Sequence, residues 1–317
     1  MDLLHTALML SKIPCPSGFE QAALDAIAEI ARTYTSDLRR TAAGSLLVHR
    51  PGRGRRVLLA AHADTTGFFT TRQEACGVFR FEAFGPADAR LLTGMPVVSV
   101  RGTRGIIGAD FGAEPEKLTL SQLFIDAPGA APSEAFVPAL PADTADGLLY
   151  APFLAPALSA AVLLDVLAEA PADADVSFVF MAQHMPGARD ASAAAFLAAP
   201  EFAVTIDAIP ARDLPGGDGS VSLRGGVVIS HQSGRAIADP ALTKALIEAA
   251  DGPVQHDFAG PAVSNLAAIQ RTGAGIPAAA AGFAMRSFGG ALSCAAIADA
   301  EALSRTLQAF LVHTLSE

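Results

Sequence analysis

The chain has 317 residues, 51% of them hydrophobic and 67 of them alanine, with 17% charged and no Trp. A chain this apolar buries enough surface to offset its ordering entropy, which excludes disorder. Its longest apolar stretches are broken by Pro, Gly or charge before the ~20 residues that a membrane span needs. The net charge of −10 weighs against nucleic acid as a partner, because phosphate binding asks for a basic face.

At roughly 100–200 residues per domain, the length suggests two domains or one large domain with an insertion. Lys occurs only as Lys12, Lys117 and Lys244, and one basic cluster stands out, His49-Arg50-Pro51-Gly52-Arg53-Gly54-Arg55-Arg56. Its Gly and Pro content reads as a solvated turn between two strands. The cysteines, Cys15, Cys76 and Cys294, are odd in number, widely spaced and without a CxxC, as expected in a reducing compartment. The start Met1-Asp2-Leu3-Leu4-His5 has neither a basic nor a continuous apolar region, so a cytoplasmic location without a signal peptide is expected.

In chain order, residues 3–12 read as a short helix that Pro14 and Pro16 interrupt. Ser17-Gly18-Phe19-Glu20 has the form of a capping box. The helix after it carries Ala23, Ile27 and Ile30 at helical spacing. Leu46–Val48 and Val57–Ala61 read as strands. From 68 to 146 helical periodicity is lost, and short β-rich runs follow at Val78–Phe84, Val97–Arg101, Gly105–Ile107 and Leu123–Asp126. Such runs between turn signals predict a small β-barrel, sandwich or PDZ-like unit. Beyond 150, helices near 157–169, 190–198, 240–250, 263–271 and 298–314 alternate with apolar strands at Val176–Ala182, Ala203–Ala208, Val227–Ser230 and near 278–283. Alternation of this kind marks a sheet buried on both faces. The expected fold class is α/β, an α/β/α sandwich of residues 1–67 and 147–317 with an inserted all-β domain at 68–146.

Sites in such sheets form where strand ends meet loops. Three apolar strands end in polar residues there: Val57…His62-Ala63-Asp64, Val179…Gln183-His184 and Ala203…Asp207. His62 at a strand end reads either as a hydrogen-bonded turn histidine or as a metal ligand whose ring Asp64 orients from behind.

These segments resemble the glutamyl-aminopeptidase and cellulase-M family of dinuclear metallo-aminopeptidases, known for tetrahedral assemblies. Ile13-Pro14-Cys15-Pro16-Ser17-Gly18-Phe19-Glu20 is similar to the family's N-terminal signature, and Ala61-His62-Ala63-Asp64-Thr65-Thr66-Gly67-Phe68-Phe69 to its His-x-Asp-Glu-x-Gly segment. Leu123–Ala130, Asp207 with Arg212-Asp213-Leu214-Pro215, and Ala268–Pro277 resemble later family segments. The resemblance covers nearly the whole chain. It implies five ligand positions for two metal ions and a Glu general base.

Carried over one position at a time, the resemblance leaves His62 and Asp207 as retained ligands. The bridging Asp falls on Ala155, the general-base Glu on His184, the next Glu ligand on Met185, and the last His ligand on Gly289. Neighbouring residues do not rescue the pattern, since no acid lies between Asp146 and Asp165 and no His between His256 and His313. Two cations facing mostly neutral groups would not recover their desolvation cost. No dinuclear site and no cofactor are therefore expected. Two readings follow: a non-catalytic binding or assembly protein, or a hydrolase with one divalent metal (zinc, cobalt or manganese) on His62, His184 and Asp207. The resemblance implies a homo-oligomer with contacts through the insertion, and a peptide as the candidate ligand.

Overall fold

The structure, a computed structural model, describes residues 1–259 and 264–314. Two helices, α1 (Leu3–Leu10) and α2 (Gln21–Ala31), lead into β1 (Asp37–Arg40), β2 (Leu46–Arg50) and β3 (Val57–His62). A six-stranded closed barrel follows, made of β4 (Gly67–Gln73), β5 (Phe79–Phe84), β6 (Pro96–Ser99), β7 (Arg104–Ala109), β8 (Leu123–Asp126) and β9 (Ala135–Pro138). The chain then returns through β10 (Asp143–Ala145) and β11 (Leu148–Ala151), which already hydrogen-bond in the large sheet. The rest alternates: α3 (Leu154–Glu169), β12 (Val176–Met181), α4 (Ala191–Ala198), β13 (Phe202–Pro210), β14 (Val227–Ser230), a hairpin of β15 (Gln232–Ser233) and β16 (Ala236–Ile237), α5 (Pro240–Glu248), β17 (Val254–Asp257), α6 (Asn265–Gln270), β18 (Ala278–Arg286), β19 (Ser293–Ala296) and α7 (Ile297–Thr314).

The fold is the α/β/α sandwich with an inserted barrel that the alternation predicts. The large sheet runs β1-β2-β12-β3-β13-β18-β19-β11-β10, with β14 and β17 branching from β18. Its centre, β12-β3-β13-β18, is parallel. Every residue of β3 and β12 is buried, as expected for strands covered on both faces. β2 and β3, consecutive in sequence, are not neighbours: β12 lies between them. α1, α2 and α7 pack against α3, which lies on β3 and β13, while α4 and α6 pack together over β12 and β13. The alanine excess belongs here. α3 buries three alanines (Ala157, Ala160 and Ala161) with Ala155 partly buried beside them, and β18 opens with four consecutive buried alanines, Ala278 to Ala281. Small side chains let helix and sheet approach closely.

The barrel has its own core of Phe68, Phe81, Val97, Ile107, Leu123, Ile125 and Phe136. In β5 buried Phe79 and Phe81 alternate with Arg80 and Glu82, the period-two pattern of a strand with one wet face.

One local reading is corrected. Ser17 and Glu20 do not form a capping box: Glu20 itself occupies the N-cap of α2 and makes no side-chain cap. Tertiary partners outcompete the helix end. The Ser17 hydroxyl donates to Asp64 Oδ2 at 2.6 Å, and Glu20 Oε1 accepts the amides of Gly18 and Gln183. The basic run 49–56 is the turn between β2 and β3 that its Gly and Pro content predicts, exposed at Pro51, Arg53, Arg55 and Arg56 and anchored at its ends. His49 bridges Asp37 and Asp175, Arg50 caps carbonyls of Leu167 and Ala170, and Arg55 lies over Phe202.

Candidate functional site

The parallel register brings the site together. Met181 pairs with His62, and Ala61 with Ile206, so the C-terminal end of β12, His62 and Asp207 lie at one level on adjacent strands. This edge, where loops leave parallel strands, is where open α/β sheets bind ligands. His184 follows on the loop after β12. The candidate ligand atoms of His62, His184 and Asp207 lie within 4.8 Å of one another.

Each ring is held by its Nδ1. His62 Nδ1 lies 2.8 Å from the backbone oxygen of Asp64, and His184 Nδ1 lies 2.9 Å from Asn265 Oδ1. Both partners only accept, so both Nδ1 atoms carry the proton. The two rings stack with centroids 4.5 Å apart and planes 25° apart. Thus Asp64 orients His62 through its main chain, not through its carboxylate. That carboxylate is fully buried and turned elsewhere: Oδ2 accepts from Ser17 and from the Met185 amide, and Oδ1 has no hydrogen-bond donor among the described residues.

The charges are arranged by proximity. His62 Nε2 lies 3.3 Å from Asp207 Oδ1, and its Nδ1 lies 3.7 Å from Asp64 Oδ1. Burial alone would push the His62 imidazole down, but Asp207 and Asp64 outweigh it and lift its pKa to about 10. Burial would raise both carboxylates, yet His62 holds each below the usual range. For His184, burial and the neighbouring His62 charge push the pKa down, and this ring is neutral. The cluster is therefore an imidazolium between two carboxylates with a neutral imidazole stacked on it. Cys15, close by, is inert: burial and the charges of Asp64 and Glu20 push its thiol far up.

The cluster opens into a cleft of about 180 Å³ between the barrel and the α/β body. Ala155, Met185 and Gly289 all line it, along with Phe153, Met285 and Phe288 from the body and Leu92 and Met95 from the barrel. The three positions thus surround the His–Asp cluster and offer it no carboxylate or imidazole. Non-glycine residues in the left-handed region sit beside each of these positions: Phe153 (φ 54°) before Ala155, Gln183 (φ 55°) before His184, and Ser287 (φ 55°) before Gly289. Such strain concentrates where side chains must be aimed into a site.

A two-ion centre does not fit this donor set, since one carboxylate and two imidazoles cannot neutralise and clamp two divalent ions. A single ion has three candidate donors, with both Nδ1–H groups tied back to oxygens as in metal-binding histidines.

Sequence reasoning missed Ser17 and Asn265 as site residues. Ser17 lies in the Pro-Ser-Gly signature, a signal absorbed by the helix-cap reading. Asn265, the first residue of α6, carries no local signal: only tertiary packing brings it to His184 across 81 residues.

Comparison with known proteins places this geometry. The family profile of the M42 glutamyl aminopeptidases matches residues 142–306. An aminopeptidase candidate of Acetivibrio thermocellus is 27% identical over 301 residues, covering 89% of this chain and 90% of that protein. The structure is similar to that of an aminopeptidase from the archaeon Desulfurococcus kamchatkensis, with a TM-score of 0.92 and 23% identity over 98% of this chain and 94% of that one. It is also similar to the TET1 peptidase of Pyrococcus horikoshii, which assembles into a tetrahedron or an octahedral shell, with a TM-score of 0.86 and 23% identity over 98% and 99% of the two chains.

Proposed function

This chain belongs to the M42 glutamyl aminopeptidase family, and from that premise we propose that it has lost the family's two-metal peptidase chemistry and acts as a binding or assembly protein. One observation carries this reading. Ala155, Met185 and Gly289 line the same cleft as His62, His184 and Asp207, so the side chains missing from the donor set are missing from the site's own wall. His62 Nε2 lies 3.3 Å from Asp207 Oδ1, close enough for the two residues to pair with each other on this reading. The fold survives because its core uses other residues, and a fold does not carry function across a dismantled site.

The test is elemental analysis after dialysis against zinc, cobalt or manganese, followed by an aminopeptidase assay with each metal. Fewer than two bound ions per chain and no turnover are expected. Two tightly bound ions, or His62-dependent turnover, would overturn the reading.

A second reading is favoured by the convergence of His62, His184 and Asp207. A single divalent ion held there would leave an open position and supply a Lewis acid to a bound carbonyl. It predicts one ion per chain, lost in His184→Ala.

On the primary reading, residues 1–67 and 147–317 are the peptidase-like domain and 68–146 the insertion, although the barrel strands span Gly67 to Pro138 and β10 (Asp143–Ala145) already belongs to the large sheet. Relatives that build shells support a homo-oligomer of this chain, and contacts through the insertion are part of this proposal. Three free cysteines suit the cytoplasm. No helix among the described residues is long and apolar enough to cross a membrane.

A further inference from the structure

We propose that His231 and His256 together hold one divalent transition-metal ion, nickel or copper by preference, at the edge of the large sheet. Neither residue lines the cleft, so the pair is a site separate from the His62 cluster.

Strand pairing brings the two rings together. β14 and β17 run parallel, with Ile229 opposite His256 and Ser230 opposite Asp257, and β17 pairs with no other strand among the described residues. His231 directly follows β14. Its amide donates to the Asp257 carbonyl at 2.8 Å, and its own carbonyl accepts the Ala238 amide at 3.0 Å. Both backbones are therefore fixed before any ligand arrives. His231 Nε2 lies 2.9 Å from His256 Nδ1. Phe258 stacks on the His231 ring, with centroids 4.6 Å apart and planes 9° apart, and steadies it.

The separation of the two nitrogens selects the ion. Nitrogens about 2.0–2.1 Å from one ion stand about 2.9 Å apart when they meet at a right angle, and about 3.3–3.4 Å apart at the tetrahedral angle. The pair has the right-angle spacing, which suits the square or tetragonal sites of Ni(II) and Cu(II). Both ions also stand high in the order of affinity for nitrogen donors. The outer nitrogens, His231 Nδ1 and His256 Nε2, have no partner among the described residues. Each neutral ring can carry its proton there and turn a lone pair inward, which takes a change of tautomer and no net loss of protons. The rings now meet nitrogen to nitrogen, with centroids 5.1 Å apart, so one must swing to aim both lone pairs at an ion. His256 is the one free to swing, since it is exposed and the Phe258 stack lies on His231. The Asp257 carboxylate is engaged by Arg212 and Ser230, which leaves the other positions of the ion to water.

The experiment is calorimetric titration of the full-length protein with nickel(II) chloride, in wild type, His231→Ala, His256→Ala, His256→Gln and His184→Ala, with a melting temperature for each as a check of folding. Loss of an outer partner of a metal ligand typically costs about 10–100-fold in affinity, and loss of a ligand costs no less. Nickel should bind this pair with one ion per chain, at least about tenfold more weakly in each His231 and His256 variant, and with unchanged affinity in His184→Ala. An ion lost in His184→Ala and kept in His256→Ala belongs to the cleft, so counting ions in His256→Ala keeps the two sites distinct. Copper(II) paramagnetic resonance on Cys76→Ser protein, which lacks the exposed thiol, should show two imidazole nitrogens around the ion. No nickel bound, affinity unchanged in the His231 and His256 variants, or a loss at only one of the two positions, as for a lone imidazole, overturns the inference.

Discussion

Replacing Asp207 by Asn tests whether His62 and Asp207 work as an ion pair. Asn keeps the shape of the side chain and removes the charge 3.3 Å from His62 Nε2. In the folded protein the His62 pKa stands near 10 against an ordinary 6.5. At about 1.4 kcal/mol per pH unit, that gap stabilises the fold by at most about 5 kcal/mol below pH 6.5. The contribution is about 4 kcal/mol at pH 7 and about 1 kcal/mol at pH 9.5. The sign follows from the raised pKa: the stabilisation is complete below the unfolded value and is lost as pH rises through the folded one. Asp64 Oδ1, 3.7 Å from Nδ1, preserves part of it in the variant. The expected loss for Asp207→Asn is therefore roughly 2–4 kcal/mol at pH 7, shrinking to about 1 kcal/mol or less at pH 9.5. Urea unfolding followed by far-UV circular dichroism at the two pH values measures it; there is no Trp to report by fluorescence. A difference that is the same at both pH values, or no loss at pH 7, would refute the buried imidazolium.

Other substitutions probe the supports of the site. Ser17→Ala leaves Asp64 Oδ2 with only the Met185 amide and should cost about 1–3 kcal/mol in urea unfolding; no loss would show that water replaces the hydroxyl. Gly282 lies opposite Asp207, and an added Cβ would sit 2.0 Å from the Asp207 carbonyl oxygen. Gly282→Ala must push strands apart, and a melting temperature equal to wild type would contradict the close approach of β13 and β18. Phe136→Ala empties the centre of the barrel and should cost about 3–5 kcal/mol, read as a lower urea midpoint. Ala155→Asp places a carboxylate in the wall of the cleft and should tighten manganese binding by calorimetry, while an unchanged affinity would mean that position 155 does not face the cluster.

The alternation of apolar strands and helices was legible because a sheet covered on both faces needs continuous apolar runs, as in β3 and β12. Leu123–Asp126 and Val227–Ser230 match their strands residue for residue. Several strands were not read from the sequence, among them β1, β4, β9, β11, β17 and β19. β4 runs from apolar Gly67-Phe68-Phe69 into polar Thr71-Arg72-Gln73, and its pairing with β9 is what closes the barrel. β17, Val254-Gln255-His256-Asp257, pairs only with β14 and has little apolar surface to announce it. The capping-box reading of Ser17 and Glu20 shows the limit of a local rule, since a buried carboxylate 47 residues away is a stronger partner than a helix end.

Sequence alone determined which side chains are available: an α/β alternation with a β insertion, His62 and Asp207 at strand ends, and no acid or imidazole at 155, 185 and 289. Residue type is a property of the chain and needs no coordinates. Tertiary structure decided how those side chains meet. The parallel register set His62 beside Asp207, Asn265 came across to hold His184, and Ala155, Met185 and Gly289 came to line the same cleft. Distances, tautomers and the pKa of His62 depend on neighbours far apart in sequence. A shortage of charge read along the chain thus became, in the fold, a small His–Asp cluster facing an apolar cleft.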